Sequence, residues 1–447
     1  MNPHTQRTVD FIHSLSFRDI NGERAALAIR ALTDTLGVAV GGSTTDLSRI
    51  IRNHAVEHFA AGPSTKPAHL FCDGRAVSAA GAALANGMTI DALDAHDGLK
   101  PTKGHVGCGV VASLLALAEA NGVASSHDLL TALSVGYEIG SRAGIALHAT
   151  ASDYHTSGAW IALGAAAMGA RLMGLSSELT LEALGIAEYH GPRSQMMRCI
   201  DHPTMVKDGS GWGAMAGVSS AYLAQGGFTG APAISLTGQK VEPIWNDMGT
   251  RWYIAEQYIK LYPVCRWAQP AVEAALALKR DHAIMTDSIA RVDVTTFAEA
   301  ARLAARHPAT TEEAQYSLPF PLAAALVYDT VSAKDVAQTG LTDPTTHPIR
   351  DRIHMQTAER YDAEFPARRF ADVAITLRDG TVLKSAPTEA IGDPEDPVDK
   401  ATIDAKFRAL TEPVLGAKRA DQLHAAIQAL EGDGPFSDLI NAVSKPV

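Results

Sequence analysis

The sequence predicts a mainly α protein, with a large all-helical domain and a smaller α+β domain. Uncharged stretches rich in Ala, Gly and Leu fill much of the first part of the chain, strand patterns begin only near Ser288, and helical patterns return after Pro397. We therefore expect residues 1–270 with 398–447 to form the helical domain and residues 271–397 the α+β domain. A chain of 447 residues is long enough for two hydrophobic cores.

The helical domain is predicted from its apolar segments. An Ala/Leu-rich helix over 24–40 ends at a Gly-Gly pair. Three further segments are apolar on all sides, and such helices must be surrounded by other helices; these segments are 106–120, 156–173 and 212–224. The uncharged stretch 209–239 is interrupted by Gly226, Gly227 and Pro232, which favours a buried helix and a loop over a membrane span.

The α+β domain is predicted from alternating apolar residues. Val292 and Val294 lie on one face of a strand over 289–296. A second strand over 371–378 is joined to residues 381–385 by Asp-Gly, which is typical of a hairpin. Helical patterns occupy 310–328 and 333–338 within this domain, and 404–411 and 417–430 after it.

Composition excludes several classes of function. With 38 Lys+Arg against 49 Asp+Glu, the net charge is −11, and no basic cluster indicates a nucleic-acid partner. An anion site must therefore be a local pocket of cationic side chains. The four cysteines contain no C-x-x-C pair, so we expect reduced thiols, no metal site and a cytoplasmic protein. The N-terminal residues lack the apolar core of a signal peptide, and we expect no membrane partner.

The strongest chemical signal is the loop 94–105, Asp-Ala-His-Asp-Gly-Leu-Lys-Pro-Thr-Lys-Gly-His. It combines carboxylates, imidazoles and ammonium groups, which together can bind an anion and move one of its protons. A solvated loop whose charges cancel is the alternative. Asp94 and His105 are the candidate proton-transfer residues. His105 stands just before the following helix, whose dipole favours the neutral imidazole. His96 and Lys103 are candidate substrate-binding residues.

Other candidates border apolar segments. His155 precedes an uncharged helix and is either a functional or a packed histidine. Lys207 and Lys260 border apolar or Gly-rich sequence, where an ammonium group needs an anionic partner. Substrate carboxylates could be that partner, and Arg266 could add a bidentate contact. The alternative is a pair of surface lysines that pair with Asp208 and nearby acids.

Several segments, in the same order along the chain, resemble the MmgE/PrpD family, which includes 2-methylcitrate dehydratase, cis-aconitate decarboxylase and iminodisuccinate epimerase. The segments are 34–42, 86–87 with 93–97, 310–314, and 392–397 with 406–407. The resemblance implies a homodimer in which the α+β domain forms a lid over the helical domain. It also implies an active site between the two domains, without a metal or an organic cofactor.

The resemblance also assigns positions. Asp94 matches the first aspartate of D-F-D-D, His105 the histidine of H-P-S, His155 that of H-P-T-S, Lys207 the lysine of T-K-P, and Lys260 that of K-x-x-P. The spacing from the aspartate to the first histidine is most similar to the epimerase branch.

Two departures from the family pattern point to a different substrate. The family often has C-R-H-S-H-P where this chain has Cys-Arg-Trp-Ala-Gln-Pro over 265–270, and Gln269 cannot transfer protons. The lid position that carries tyrosine in the decarboxylase corresponds to Phe320, with Tyr316 close by. We expect Gln269 and Tyr316 to contact the substrate.

Together these features predict a cofactor-independent lyase or isomerase that removes a proton α to a carboxylate of a small di- or tricarboxylate. The two lysines and Arg266 would hold carboxylates and stabilise the enolate-like state. Asp94 and the two histidines would move protons. Epimerisation and elimination are the expected outcomes and decarboxylation is the alternative. A non-catalytic dimer that binds carboxylates or a partner protein is the alternative of another class.

Overall fold

Helices dominate the structure, a computed structural model that describes residues 2–20, 22–63 and 66–447. The longer helices are Pro3–Ser14, Glu23–Gly42, Asp46–His58, Ala79–Asp91, Gly107–Asn121, Ser126–Thr150, Gly158–Leu172, Ser177–His190, Met196–Asp201, Ser210–Gln225, Gln269–Asp281, Thr311–Gln315, Pro319–Tyr328, Lys400–Leu415, Ala417–Ala429 and Phe436–Ser444. One-turn helices are Ile234–Thr237, Glu242–Trp245, Ala298–Ala301, Gln338–Leu341, His347–Arg350 and Glu359–Asp362. The strands are Ala68–His69, Ala76–Val77, Ile289–Thr296, Ile353–Thr357, Ala371–Leu377 and Val382–Lys384. The predicted mainly α fold is confirmed.

The predicted apolar helices pack at short distances. A Cβ atom added to Gly217 would lie 2.2 Å from the carbonyl oxygen of Ala162, and one added to Gly164 would lie 2.7 Å from that of Gly136. Glycine therefore permits these helix backbones to touch. Within the described ranges, one helix, Glu23–Gly42, is long and apolar enough to cross a membrane, and most of it is buried against the rest of the protein.

The larger sheet lies in the C-terminal part of the chain. Its strand order is 353–357, 289–296, 371–377 and 382–384, with the first pair parallel and the other pairs antiparallel. The predicted strand 289–296 and the predicted hairpin are confirmed. The strand Ile353–Thr357 was not predicted, because it is a half-exposed edge strand without a clear alternation of apolar residues.

One predicted helix is wrong. Residues 333–337 form turns and a bend, and helix begins only at Gln338, in the one-turn helix Gln338–Leu341. The side chain of Asp335 accepts hydrogen bonds from the backbone N–H of Ser332 (2.7 Å) and from its hydroxyl (2.7 Å). Such local side-chain bonds compete with helix formation.

Two large hydrophobic cores underlie this architecture. The first joins the helices of the N-terminal part with the last three long helices of the chain. The second joins the four-stranded sheet with helices Gln269–Asp281 and Pro319–Tyr328. Helix Met196–Asp201 contributes Met196, Cys199 and Ile200 to this second core, so the chain crosses from one core to the other beside Lys207.

Candidate active site

The loop 94–105 connects helix Ala79–Asp91 with helix Gly107–Asn121 and is fixed by a backbone bridge. The N–H of Gly98 donates to the carbonyl of Tyr258 (3.1 Å), and the N–H of Tyr258 donates to the carbonyl of Gly98 (2.8 Å). A Cβ atom on Gly98 would lie 2.3 Å from the Tyr258 hydroxyl and 2.8 Å from His105 Nδ1. Glycine at this position therefore lets the segment that carries Lys260 approach the loop.

Asp94 and Lys260 form a buried ion pair. The ammonium of Lys260 donates to Asp94 Oδ1 at 2.6 Å and to the Asp94 carbonyl at 2.7 Å. Asp94 has a φ of 49°, Lys103 a φ of 53° and Lys207 a φ of 49°, in the left-handed region that non-glycine residues rarely adopt. Three candidate residues therefore hold strained backbone, as is common in functional sites.

His96 and Asp91 form a second buried pair. His96 Nε2 lies 3.2 Å from Asp91 Oδ1, and Nδ1 lies 3.2 Å from the carbonyl oxygen of Asp97. Because both partners can only accept, both ring nitrogens donate and the imidazole is positively charged. Burial opposes this charge, but Cys108 and Asp91 raise the pKa of His96 well above its ordinary value.

His105, unlike His96, is a neutral imidazole. Its Nδ1 lies 2.5 Å from the Asp97 carbonyl oxygen, and its Nε2 lies 3.7 Å from Asp94 Oδ1 and 3.8 Å from Asp208 Oδ2. Burial and the nearby charges of Lys260 and His96 lower the pKa of His105 well below its ordinary value. The ring is therefore neutral, with the proton on Nδ1 and a free lone pair on Nε2.

Asp208 completes this cluster and was not predicted from the sequence. Its Oδ2 accepts a hydrogen bond from Ser157 Oγ at 2.6 Å, and Ser157 Oγ also accepts one from the backbone N–H of His105 at 2.9 Å. Burial and the negative charge of Asp91 raise the pKa of Asp208 to about 7. The carboxyl can therefore hold a proton at neutral pH, which suits an acid.

Lys207 contacts residues 315 and 316 of the C-terminal part of the chain. It donates a hydrogen bond to Gln315 Oε1, and its Nζ lies 4.8 Å from the centre of the Tyr316 ring. Lys207 is 2% exposed, and no carboxylate lies within 4.0 Å of its ammonium among the residues that the structure describes. The interpretation of Lys207 as a surface lysine paired with Asp208 is therefore wrong.

His155 lies beside this cluster. Its backbone N–H donates to His148 Nε2 at 3.1 Å, its backbone pairs with Gln195, and the charges nearest to its ring are those of Arg193 and Asp153. In the described part of the chain, no hydrogen bond or ion pair joins its ring to Asp94 or His105. The residue of this segment that contacts the cluster is Ser157, two positions later.

Arg266 and Gln269 face the protein chain itself. Arg266 donates to Asp393 Oδ1 at 2.7 Å, to the carbonyl oxygens of Ala390 and Ile391, and to Gln269 Oε1 at 3.0 Å. The amide of Gln269 donates to the carbonyls of residues 262 and 264. These bonds hold the segment in which the chain leaves the lid and returns to the helical domain.

Two further cationic side chains, those of Lys103 and Arg369, each lie beside a tyrosine ring. Lys103 Nζ is 4.3 Å from the centre of the Tyr154 ring. Arg369 of the lid is 3% exposed, and its Cζ lies 5.4 Å from the centre of the Tyr258 ring. Sequence reasoning missed Arg369, because it stands next to Arg368 in a short polar segment that has no motif.

Asp91, Asp94 and His96 are the described residues that lie close enough to share a metal ion, with ligand atoms within 4.8 Å of one another. The ammonium of Lys260 already lies 2.6 Å from Asp94 Oδ1, and His96 already donates to Asp91. These two cations balance the carboxylates of the trio. A metal ion would have to displace them.

The cluster is closed to solvent in this structure. Asp94, His105, Lys207 and Lys260 are at most 6% exposed. Gln315 and Tyr316, which contact Lys207, are also buried.

Comparisons with known proteins agree with this architecture. The chain is 24% identical over 457 residues to cis-aconitate decarboxylase of Homo sapiens, covering 96% of this chain and 92% of that protein. It is 24% identical over 410 residues to the cis-aconitate decarboxylase-like protein oryM of Aspergillus oryzae, covering 81% and 82%. The MmgE/PrpD N-terminal domain matches residues 6–240 and the MmgE/PrpD C-terminal domain matches residues 262–432. The resemblance inferred from the motifs is thereby confirmed, and the chain belongs to the MmgE/PrpD family.

Proposed function

We propose that this protein is a cofactor-independent lyase or isomerase that removes a proton α to a carboxylate of a small di- or tricarboxylate. The observation that carries this proposal is the pair formed by His105 and Asp208, whose reactive atoms lie 3.8 Å apart. The surroundings lower the pKa of the imidazole and raise that of the carboxyl. Titratable groups shifted in opposite directions at one site are typical of a base and an acid.

The proposed reaction begins with one substrate carboxylate bound by Lys207 and Tyr316. The lone pair of His105 Nε2 accepts the α-proton, and the bonding electrons move into the carboxylate, giving an enolate-like state. The buried ammonium of Lys207 stabilises that charge because little water is present to screen it. The new imidazolium lies between the carboxyl groups of Asp94 and Asp208, and the neutral Asp208 can donate a proton in the next step.

Two outcomes follow from this intermediate. Donation of the Asp208 proton to a departing hydroxide or amine gives elimination, whereas epimerisation needs a proton delivered to carbon from the face opposite His105. The names of the relatives favour a second candidate, decarboxylation, in which carbon dioxide leaves first and the acid protonates the carbanion. Lys207 would stabilise the negative charge in all three reactions, and Asp208 would supply the proton in elimination and in decarboxylation.

We propose further that the protein is a homodimer and that it is cytoplasmic. Large apolar side chains are exposed near helices Ser177–His190 and Ser210–Gln225, as expected for a surface that a second copy covers. They include Tyr189 (76% exposed), Trp212 (42%) and Phe228 (51%). Light scattering after size-exclusion chromatography should give twice the chain mass of 47.1 kDa, and a single-chain mass would contradict the dimer.

Proton transfer is tested by isotope exchange. Citrate, 2-methylcitrate, cis-aconitate and iminodisuccinate are incubated with the protein in D₂O and followed by NMR. An eliminase or epimerase incorporates deuterium at the α-carbon, whereas a decarboxylase forms a deuterated product with one carboxylate fewer. A protein that binds these acids without exchange or turnover would instead be the non-catalytic carboxylate-binding dimer.

A further inference from the structure

Arg369 is a buried cation without a hydrogen-bond partner. It is 3% exposed, and its Nε, Nη1 and Nη2 atoms are all buried without an acceptor among the residues that the structure describes. An unpaired buried guanidinium is costly, because all five of its N–H groups have lost water. Its neighbour Arg368 is exposed and paired with Glu389.

The guanidinium lies next to the candidate active site. Its Cζ is 5.4 Å from the centre of the Tyr258 ring, and that ring lies 6.4 Å from the imidazole of His105. Burial lowers the pKa of both His105 and Lys103, and the positive charge of Arg369 adds to both shifts. A buried guanidinium without an acceptor, next to a neutral imidazole, forms a place for an anion.

The space beside the Arg369 guanidinium is separate from the contacts of Lys207. Lys207 meets the Gln315–Tyr316 segment, whereas Arg369 lies over Tyr258. Lys260, which also lies near His105, is already neutralised by Asp94. Arg369 is therefore the cation on this side that is fully buried and has no carboxylate partner in the described structure.

We propose that Arg369 binds a second carboxylate of the substrate, so that the site selects di- and tricarboxylates over monocarboxylates. This inference rests on the proposed function and deepens it. One carboxylate would contact Lys207, the carbon that reacts would face His105 Nε2, and a more distant carboxylate would accept hydrogen bonds from the planar guanidinium. Because Arg369 belongs to the lid, this bond also favours the closed arrangement.

The test measures binding, which does not depend on turnover. Propane-1,2,3-tricarboxylate and the monocarboxylate butyrate are titrated into the full-length protein by calorimetry. In Arg369→Met, the Kd for the tricarboxylate should rise about 10- to 100-fold, as expected for the loss of charged hydrogen bonds. The Kd for butyrate should stay within about twofold. Arg368→Gln is the matched control and should bind both acids as the wild type does.

A second readout separates ligand binding from a structural role. Because Arg369 has no partner in the ligand-free protein, Arg369→Met should have a melting temperature equal to or above that of the wild type. A structural arginine would give a lower one. If the methionine variant does not fold, Arg369→Lys replaces it and should weaken tricarboxylate binding at least about tenfold, because an ammonium lacks the planar pair of donors.

The outcomes are distinct from those of the proposed function. Three results would overturn the role of Arg369. Arg369→Met could bind the tricarboxylate as tightly as the wild type does, it could lose affinity equally for both acids, or the wild type could fail to bind the tricarboxylate. A wild-type protein that binds the tricarboxylate but exchanges no proton with any acid would contradict the proposed reaction alone.

Discussion

His105 Nδ1 lies 2.5 Å from the backbone carbonyl oxygen of Asp97, and this contact determines which ring nitrogen carries the proton. A carbonyl oxygen can only accept, so Nδ1 carries the proton and Nε2 is left with its lone pair. His96 donates to the same carbonyl. Burial, together with the positive charges of Lys260 and His96, lowers the pKa of His105. The main chain of the loop thus positions the base.

Replacing this base should remove most of the activity. His105→Gln should lower kcat by about 10²- to 10⁴-fold, the usual contribution of a general base, with little change in the circular dichroism spectrum. His155→Gln is the matched control, because the charges nearest to the His155 ring are those of Arg193 and Asp153, outside the cluster, and it should lower kcat less than about tenfold. Equal losses in the two variants, measured with the substrate found by isotope exchange, would move the base to His155.

Asp208 should impose a limit on activity at high pH. Burial and the charge of Asp91 raise its pKa to about 7, so the carboxyl holds a proton below that pH and loses it above. If this proton is donated during the reaction, kcat/KM should fall as the pH rises through about 7. Asp208→Asn should remove this limb of the profile measured from pH 5 to 9, and an unchanged limb would assign it to another group.

Sequence patterns predicted the elements that are defined by one strong periodicity. The segment 106–120 is apolar throughout, and the structure places a buried helix over Gly107–Asn121. The alternation over 289–296 corresponds to the observed strand residue for residue. The edge strand Ile353–Thr357 was not predicted, because its own side chains show no clear alternation. Its backbone pairs with one neighbouring strand, and that pairing could not be seen in the sequence.

The candidate site was predictable where chemistry and motif coincide. Asp94, His105 and Lys260 stand in polar or Gly/Pro-rich breaks beside apolar segments, and the structure brings them together. Asp208 and Arg369 were not predictable in the same way, because their properties come from burial among distant charges. A carboxyl or a guanidinium in a sequence carries no sign of which charges the fold will place beside it.

The ion pair of Asp94 and Lys260 should contribute to stability as a unit. Removing one partner leaves a buried charge unpaired, so Lys260→Met should destabilise the protein by about 3–5 kcal/mol. The double variant Asp94→Asn/Lys260→Met should melt at a higher temperature than Lys260→Met alone. The control is the exposed pair Lys400 and Asp404, where Lys400→Met should cost about 0–1 kcal/mol. A double variant that melts below the single one would show that the two groups act independently.

Glu138 should make the stability of the helical domain depend on pH. This buried carboxyl accepts a hydrogen bond from the Ile254 N–H at 3.1 Å, and its other oxygen has no hydrogen-bond partner in the described chain. Burial raises its pKa from 4.5 to about 7, despite the charge of Arg142. A raised pKa means that the folded state holds the proton more tightly than the unfolded state. The resulting stability is fully present below pH 4.5 and is lost as the pH rises through about 7.

At pH 8 the folded protein must therefore bury a charged carboxylate, at a cost of up to about 3 kcal/mol. Glu138→Gln removes that charge and keeps the shape of the side chain. The melting temperature of Glu138→Gln, relative to that of the wild type, should be higher at pH 8 than at pH 5. The control Glu359→Gln, at an exposed glutamate, should give the same difference at both pH values. Asp208 shifts stability in the same direction in both proteins, so it cancels from the comparison. A difference that does not change with pH would mean that Glu138 stays charged in the fold, held by Arg142.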